Sequence, residues 1–224
     1  MTLTVHNDLV QGSDEWLDQR RGLVTASVVG QLITAKTIKP ANNDYSRALT
    51  AQLVAERITN YTEPNYISDD MLRGHEDEPR AVEVYSENYA PVTTTGLMIE
   101  DKWGFRIGYS PDGLVSDDGL VEVKSRRQKK QLLTILDDAA PAENMAQLQC
   151  GLLVSGREWI DYLSYCGGMR MYVRRIYPDP RWFDAIVAAV EQFEKNAAEM
   201  TARYFDVTAD MPMTERAVEL EMIL

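Results

Sequence analysis

The stretch from Ser110 to Lys124, SPDGLVSDDGLVEVK, constrains this chain more than any other. A turn carrying the carboxylate of Asp112 leads ten residues later to Glu122, in an apolar run whose two polar side chains, Glu122 and Lys124, are spaced by the strand period of two. Residues i and i+2 of a strand project from one face, so Glu122 and Lys124 stand side by side while Val121 and Val123 point the other way into a core. A hairpin between the two halves returns Asp112 towards them, and two carboxylates then converge with a lysine. Anionic oxygen ligands suit a hard divalent cation such as Mg²⁺, and an ammonium beside it can orient or help deprotonate a water. A salt bridge across a surface hairpin satisfies the same three residues, so the rest of the chain has to decide between the two readings.

Length and composition fit one compact domain. The chain has 224 residues, 45% of them apolar, and reads as one domain over residues 1–205 with a C-terminal tail at 206–224. A formal charge of −12 argues against coating nucleic acid by bulk electrostatics but leaves room for a local basic groove. Cys150 and Cys166 lack metal-ligand spacing, and with no leader before them they read as reduced, buried thiols. No apolar run approaches the roughly 18–20 residues that span a bilayer. A soluble, cytoplasmic protein with no membrane partner is expected.

Near the start, Ser13 suits a helix N-cap, with Asp14 and Glu15 in the first turn and Arg20 and Arg21 at the far end. A second helix near Thr25 brings hydroxyls and free backbone N–H groups close to these arginines, either as ordinary capping or as a phosphate pocket. Residues Thr34 to Asn43 read as a mobile loop, and Ala51, Val54, Ile58 and Tyr61 as the apolar stripe of a helix. Pro79 suits the first turn of another helix. Glu76, Asp77 and Glu83 read there as solvated acids and His75 as polar surface. Val92 to Tyr109 alternates as two strands with a turn near Glu100 to Gly104, and Val121 to Lys124 supplies a third. The run SRRQKK that follows is either a solvated face or a DNA contact through Arg126, Arg127, Lys129 and Lys130. A helix over Ala142 to Val154 leaves Gln147 and Gln149 off its apolar stripe. Strands near Trp159 to Tyr165 and Met169 to Tyr177 and a long helix to about Tyr204 complete the chain. A short amphipathic segment, TERAVELEMIL, ends the tail as a candidate interaction helix.

Three motifs together resemble one family. Pro111-Asp112 followed by Glu122-Val123-Lys124 resembles the PD-(D/E)XK nuclease superfamily. Trp16, Arg20, Gly22, Thr25, Ala26 and Ser27 are similar to the opening motif of its phage lambda exonuclease-like (YqaJ) branch, and Gly74, Glu78, Pro79, Ala81 and Tyr85 to that branch's first nuclease motif. The resemblance implies an α/β fold in which a mixed central β-sheet is flanked by α-helices. It implies Glu78, Asp112, Glu122, Lys124 and Gln147 as catalytic residues, with Gln149 as the fallback for Gln147. It further implies Glu78, Asp112, Glu122 and Val123 as the positions holding two Mg²⁺ ions, for which Mn²⁺ can substitute, and Arg20, Ser27 and Ser110 as a 5′-phosphate pocket. Met71 takes the place of an apolar wedge that parts the strands, the alternative being that Met71 and Leu72 anchor a helix start in the core; unstacking a base step costs a few kcal/mol. The activity implied is 5′ to 3′ digestion of double-stranded DNA ends by a trimeric ring, leaving 3′ single strands for an annealing or recombinase protein. The setting implied is the cytoplasm of a bacterial host, with the gene carried by a phage or prophage. Another endonuclease or repair nuclease of the superfamily, or a non-enzymatic DNA-end-binding protein, are the alternatives.

Overall fold

A computed structural model describes residues 3–64 and 68–216. In chain order the elements are β1 (Thr4–His6), α1 (Asp14–Arg20), α2 (Ala26–Val29) with a following 3₁₀ turn (Gly30–Leu32), β2 (Ile33–Thr34), β3 (Lys39–Pro40), α3 (Asp44–Thr59), α4 (Asp69–Asn88), β4 (Val92–Thr93), β5 (Leu97–Glu100), β6 (Ile107–Tyr109), β7 (Gly113–Val115), β8 (Gly119–Ser125), α5 (Gln128–Asp137), α6 (Ala142–Ser155), β9 (Trp159–Tyr165), β10 (Tyr172–Ile176) and α7 (Pro180–Val207). The central sheet runs β10-β9-β8-β7-β4, with a second sheet β1-β5-β6 beside it. The β8–β9 pair is parallel and the other central pairs are antiparallel. This is the expected mixed sheet flanked by helices.

Strand β8 divides the molecule. Its alternation sends Leu120 to a core with Leu148 and Leu152 of α6, extended by Leu49, Leu53 and Val54 of α3 and by Ile186, Val190 and Phe193 of α7. Val121 and Val123 go to the opposite face, against Ala81 and Tyr85 of α4. The α4 face of the sheet also holds a polar anchor. Tyr85 Oη donates to Asp161 Oδ2 at 2.6 Å, and Arg175 binds both carboxylate oxygens at 2.9 and 2.8 Å while lying 3.5 Å from the Trp159 ring centroid. Asp161 is 3% exposed.

Several expectations change. Helix α4 starts at Asp69, capped by Ser68, so Pro79 lies inside the helix and not in its first turn. The acids Asp69 and Asp70 start the helix ten residues before Pro79 because they occupy the positively polarised first turn. Asp77 is buried at 7% exposure and is no solvated acid. Met71 and Leu72 do not anchor the helix start, being 48% and 52% exposed. The segment read as a mobile loop is a short hairpin of β2 and β3. In α3 the inward face is Ser46, Leu49, Thr50, Leu53, Val54 and Glu56, with Ala51 exposed and Tyr61 beyond the helix end.

Helix α5 was not anticipated, since its apolar pattern is inverted. Gln131 and Thr134 face inward, while Leu132, Leu133 and Leu136 are exposed. Gln131 is held by Ser164 Oγ, which donates to it at 2.6 Å, and by its own bonds to the Ser164 and Arg170 carbonyls. Both cysteines are free and buried. Helix α7 continues to Val207, a turn follows, and the TERAVELEMIL reading falls mostly on residues 217–224, outside the described residues. Among the described residues no helix is long and apolar enough to cross a membrane.

Removing the Asp161 carboxylate strands a buried tyrosine hydroxyl and leaves the Arg175 guanidinium without its ion-pair partner. Asp161→Ala should therefore lower unfolding stability by about 2 kcal/mol or more, read as the urea midpoint; a change below about 0.5 kcal/mol would show the anchor to be dispensable.

Candidate active site

The site is built around Glu122, which is 2% exposed although it is a carboxylate. Strand alternation puts Glu122 and Lys124 on the α6 face of β8, as the sequence pattern requires. Lys124 Nζ donates to Glu122 Oε1 at 2.7 Å, and Gln147 of α6 donates to the same oxygen. Tyr109 Oη donates to Glu122 Oε2 at 3.3 Å, at the long end of the hydrogen-bond range. Tyr109 reaches in because Gly151 of α6 has no side chain: a Cβ there would stand 2.7 Å from the end of the Tyr109 ring. The β7–β8 hairpin returns Asp112 as expected, and its Oδ2 accepts from the Val123 N–H at 2.6 Å.

The electrostatics follow from burying like charges together. Asp112 is pushed well above the usual carboxylate range, first by desolvation and then by the charges of Glu122 and Glu78. Glu78 is raised for the same reasons, burial first and Glu122 next. For Lys124 burial disfavours the cation, but Glu122 and Asp112 outweigh it and hold the ammonium above its ordinary value. Lys124 is thus a fixed positive charge at neutral pH.

This donor set fits a hard divalent cation: the oxygens are anionic, and their mutual repulsion, only partly relieved by Lys124, is what a cation would neutralise. Among the described residues, however, no group of three or more His, Cys, Asp or Glu side chains is gathered into a ready metal cage. Glu78 comes from α4, on the other face of β8, near enough to feel Glu122 but not closed on a common point with it and Asp112.

A second constellation lies beside the first. Arg20 Nη2 donates to Thr25 Oγ1 and Ser27 Oγ, both at 3.1 Å, and its guanidinium lies 3.9 Å from the Trp16 ring centroid. The Trp16 indole N–H donates to Ser110 Oγ at 3.1 Å. Arg20, Ser27 and Ser110 are therefore brought together, with Thr25 and Trp16 completing the set. Desolvation lowers the Arg20 pKa to about 10. Gly22 allows the motif loop to dock. It has φ +64, its N–H donates to Glu56 Oε2 at 2.8 Å, and its carbonyl accepts from Arg57 Nε at 2.7 Å. Arg21 belongs elsewhere, bonded to Asp18 and Asn60.

The basic run divides. Arg126 turns inward, its Nη2 donating to Asn144 Oδ1 at 2.6 Å and Tyr162 Oη at 3.1 Å. Arg127 is exposed and pairs with Asp70 at 2.8 Å, Lys129 is exposed, and Lys130 pairs with Glu143. Gln149 is not part of the site: it is 1% exposed, donates to the Tyr177 carbonyl and accepts from the Asp179 N–H, both at 2.8 Å. Sequence reasoning missed Tyr109, since a tyrosine in an apolar run reads as core.

A family model, the YqaJ-like viral recombinase domain, matches residues 15–158. Among solved structures, the alkaline exonuclease LHK-Exo from Laribacter hongkongensis is similar at 29% identity and a TM-score of 0.79, covering 89% of this chain and 100% of that one. LHK-Exo in complex with dAMP matches at 28% identity and a TM-score of 0.79 over the same shares of the two chains. A phage-related exonuclease from Haemophilus somnus 129PT shares the fold, at 14% identity and a TM-score of 0.60, over 81% of this chain and 96% of that one. A comparison with curated proteins gives no match. Since the family match takes in both the Arg20 loop and the whole Asp112–Lys124 hairpin, and extends over more than half of the sequence, the chain belongs to the YqaJ-like viral recombinase domain family.

Proposed function

We propose that this protein is a metal-dependent exonuclease that digests double-stranded DNA from 5′ ends, 5′ to 3′, and leaves 3′ single strands for an annealing or recombinase protein in phage-type recombination. The observation that carries the reading is the adjacency of two polar sites. Ser110 precedes Asp112 by two residues, at most about 7 Å of chain, so a phosphate held by Arg20, Ser27 and Ser110 lies within about a nucleotide of the carboxylates. LHK-Exo binds dAMP, a nucleotide with a terminal phosphate, which supports a site that accepts such an end.

Asp112, Glu122 and Val123, with Glu78 as the further carboxylate, would hold the two divalent ions, Mg²⁺ or Mn²⁺, which when bound polarise a phosphate and lower the pKa of water. The chain's own groups do the rest. Lys124 stays protonated, neutralises charge at the phosphate and orients the attacking water. Gln147 and Tyr109 fix the Glu122 carboxylate so that it does not turn away. Arg20 offers its guanidinium and Thr25 and Ser27 their hydroxyls to a terminal phosphate, whose extra charge and acceptor oxygens exceed those of an internal diester. Met71, exposed on the first turn of α4, suits the parting of a base step. Arg127 and Lys129 are the exposed members of the basic run and so are the ones that DNA phosphates could reach.

A ring of three subunits accounts for how a chain of charge −12 retains DNA, because enclosure replaces bulk attraction. The exposed leucines of α5, and Met200, Tyr204, Phe205 and Val207 at the end of α7, are apolar faces that a neighbouring subunit would cover.

Asp112→Ala, Glu122→Ala and Lys124→Ala should each reduce cleavage of linear duplex by at least about a thousandfold without loss of fold, checked by gel assay and circular dichroism. Gln147→Ala should cost about tenfold or more. A folded Glu122→Ala protein that degrades DNA near the wild-type rate would contradict the assignment.

Duplexes with 5′-phosphate ends should be digested about tenfold faster than 5′-hydroxyl duplexes, in keeping with the strength of charge-assisted hydrogen bonds. Arg20→Ala should abolish that ratio. Equal wild-type rates on the two ends would remove the phosphate pocket from the mechanism.

A further inference from the structure

Asp77 and Ser125 make a contact that the candidate chemistry leaves unexplained. Ser125 ends β8 on the α4 side, one residue after Lys124. Its hydroxyl donates to Asp77 Oδ2 at 2.6 Å and accepts from Arg73 Nε at 3.0 Å. Arg73 also lies 4.0 Å from Asp77 and 2.7 Å from Asp70, and Asp70 in turn accepts from Arg127. Asp77 falls four residues before Ala81 and eight before Tyr85 on the buried face of α4. The helix is therefore tied to the sheet at two polar points, Asp77–Ser125 and Tyr85–Asp161, about 12 Å apart at 1.5 Å per residue.

Between these ties stands Pro79. A proline inside a helix has no N–H for the carbonyl four residues back, here that of His75, and its ring crowds that carbonyl. The helix's own ladder is thus interrupted at the turn that carries Glu78. A side-chain tie to the strand fixes what the backbone there holds less firmly.

We propose that Asp77, Ser125 and Arg73 form a latch between α4 and β8 that sets Glu78 at the active site. Asp77 is a positioning residue: its carboxylate is engaged by Ser125 and Arg73, and it acts through its neighbour Glu78. This inference rests on the reading of Glu78 as a carboxylate of the nuclease site. Short charge-assisted bonds suit the task because they hold direction as well as distance. A misplacement of about 1 Å at a catalytic group is enough to cost about a hundredfold in rate.

The test is a double-mutant cycle on the full chain, read as single-turnover digestion of a linear duplex with Mn²⁺. Asp77→Leu, which keeps bulk and loses the acceptor, should slow cleavage by about tenfold to a hundredfold. Asp77→Asn, which still accepts from Ser125, should stay within about threefold. In a Glu78→Ala background Asp77→Leu should cause no further loss, because the group it positions is gone. Losses that multiply, or a Glu78→Ala protein as fast as wild type, would overturn the latch.

Ser125→Ala gives a second readout, independent of catalysis and of how Asp77→Leu folds. It should speed hydrogen exchange of amides in residues 74–82 while leaving α7 unchanged. Unchanged exchange in 74–82 would overturn the latch. Faster exchange in a protein whose wild type cleaves no DNA would uphold the latch and overturn the functional reading on its own.

Discussion

A buried carboxylate is the interaction on which the rest of this structure depends. Burying a carboxylate costs several kcal/mol unless its oxygens are satisfied, and the fold satisfies those of Glu122 from three directions. Lys124 comes from two residues along the same strand, Gln147 from α6 and Tyr109 from β6. Each donor places a demand on the fold: β8 must be extended, α6 must cross its face in one register, and Gly151 must leave room for the Tyr109 ring. The site is thus held by the same packing that forms the larger core.

The alternation of β8 assigns the other roles. Even-numbered positions face α6, Leu120 as core and Glu122 and Lys124 as charge, while odd-numbered positions face α4 and carry apolar bulk until Ser125. Two helices can then approach one strand from opposite faces, one bringing Gln147 and the other Glu78. The loop that carries Arg20, Thr25 and Ser27 joins this frame through a bridge between Thr25 and Gly108, beside the Trp16 bond to Ser110. The carboxylates and the Arg20 constellation are therefore fixed relative to one another by short covalent and hydrogen-bonded paths, which the proposed cutting at a set distance from a DNA end would require.

Much of this was legible in sequence because it follows local periodicity. The i, i+2 spacing of Glu122 and Lys124 and the return of Asp112 by a hairpin are rules of strand geometry, and the Ser13 cap is one of helix geometry. Arg20 and Ser27 were legible as a candidate pocket from local helix geometry, whereas Ser110, distant in sequence from the other two, was recognisable only through a motif. Pro79 misled because proline favours a helix first turn, while Ser68, Asp69 and Asp70 start this helix earlier. Helix α5 was hidden because it buries glutamine and threonine and exposes leucines. Tyr109 and Asp77 were hidden for a common reason: each acts through a hydrogen bond to a residue far along the chain, and no local pattern records such a partner.

The central claim is that the buried Glu122 site serves a DNA end. The most direct measurement compares linear and covalently closed circular duplexes of one sequence, incubated with the full chain and Mg²⁺. Nucleotide release from the linear form alone, absent with Glu122→Gln, is the predicted result; cleavage of the closed circle at a comparable rate would contradict it.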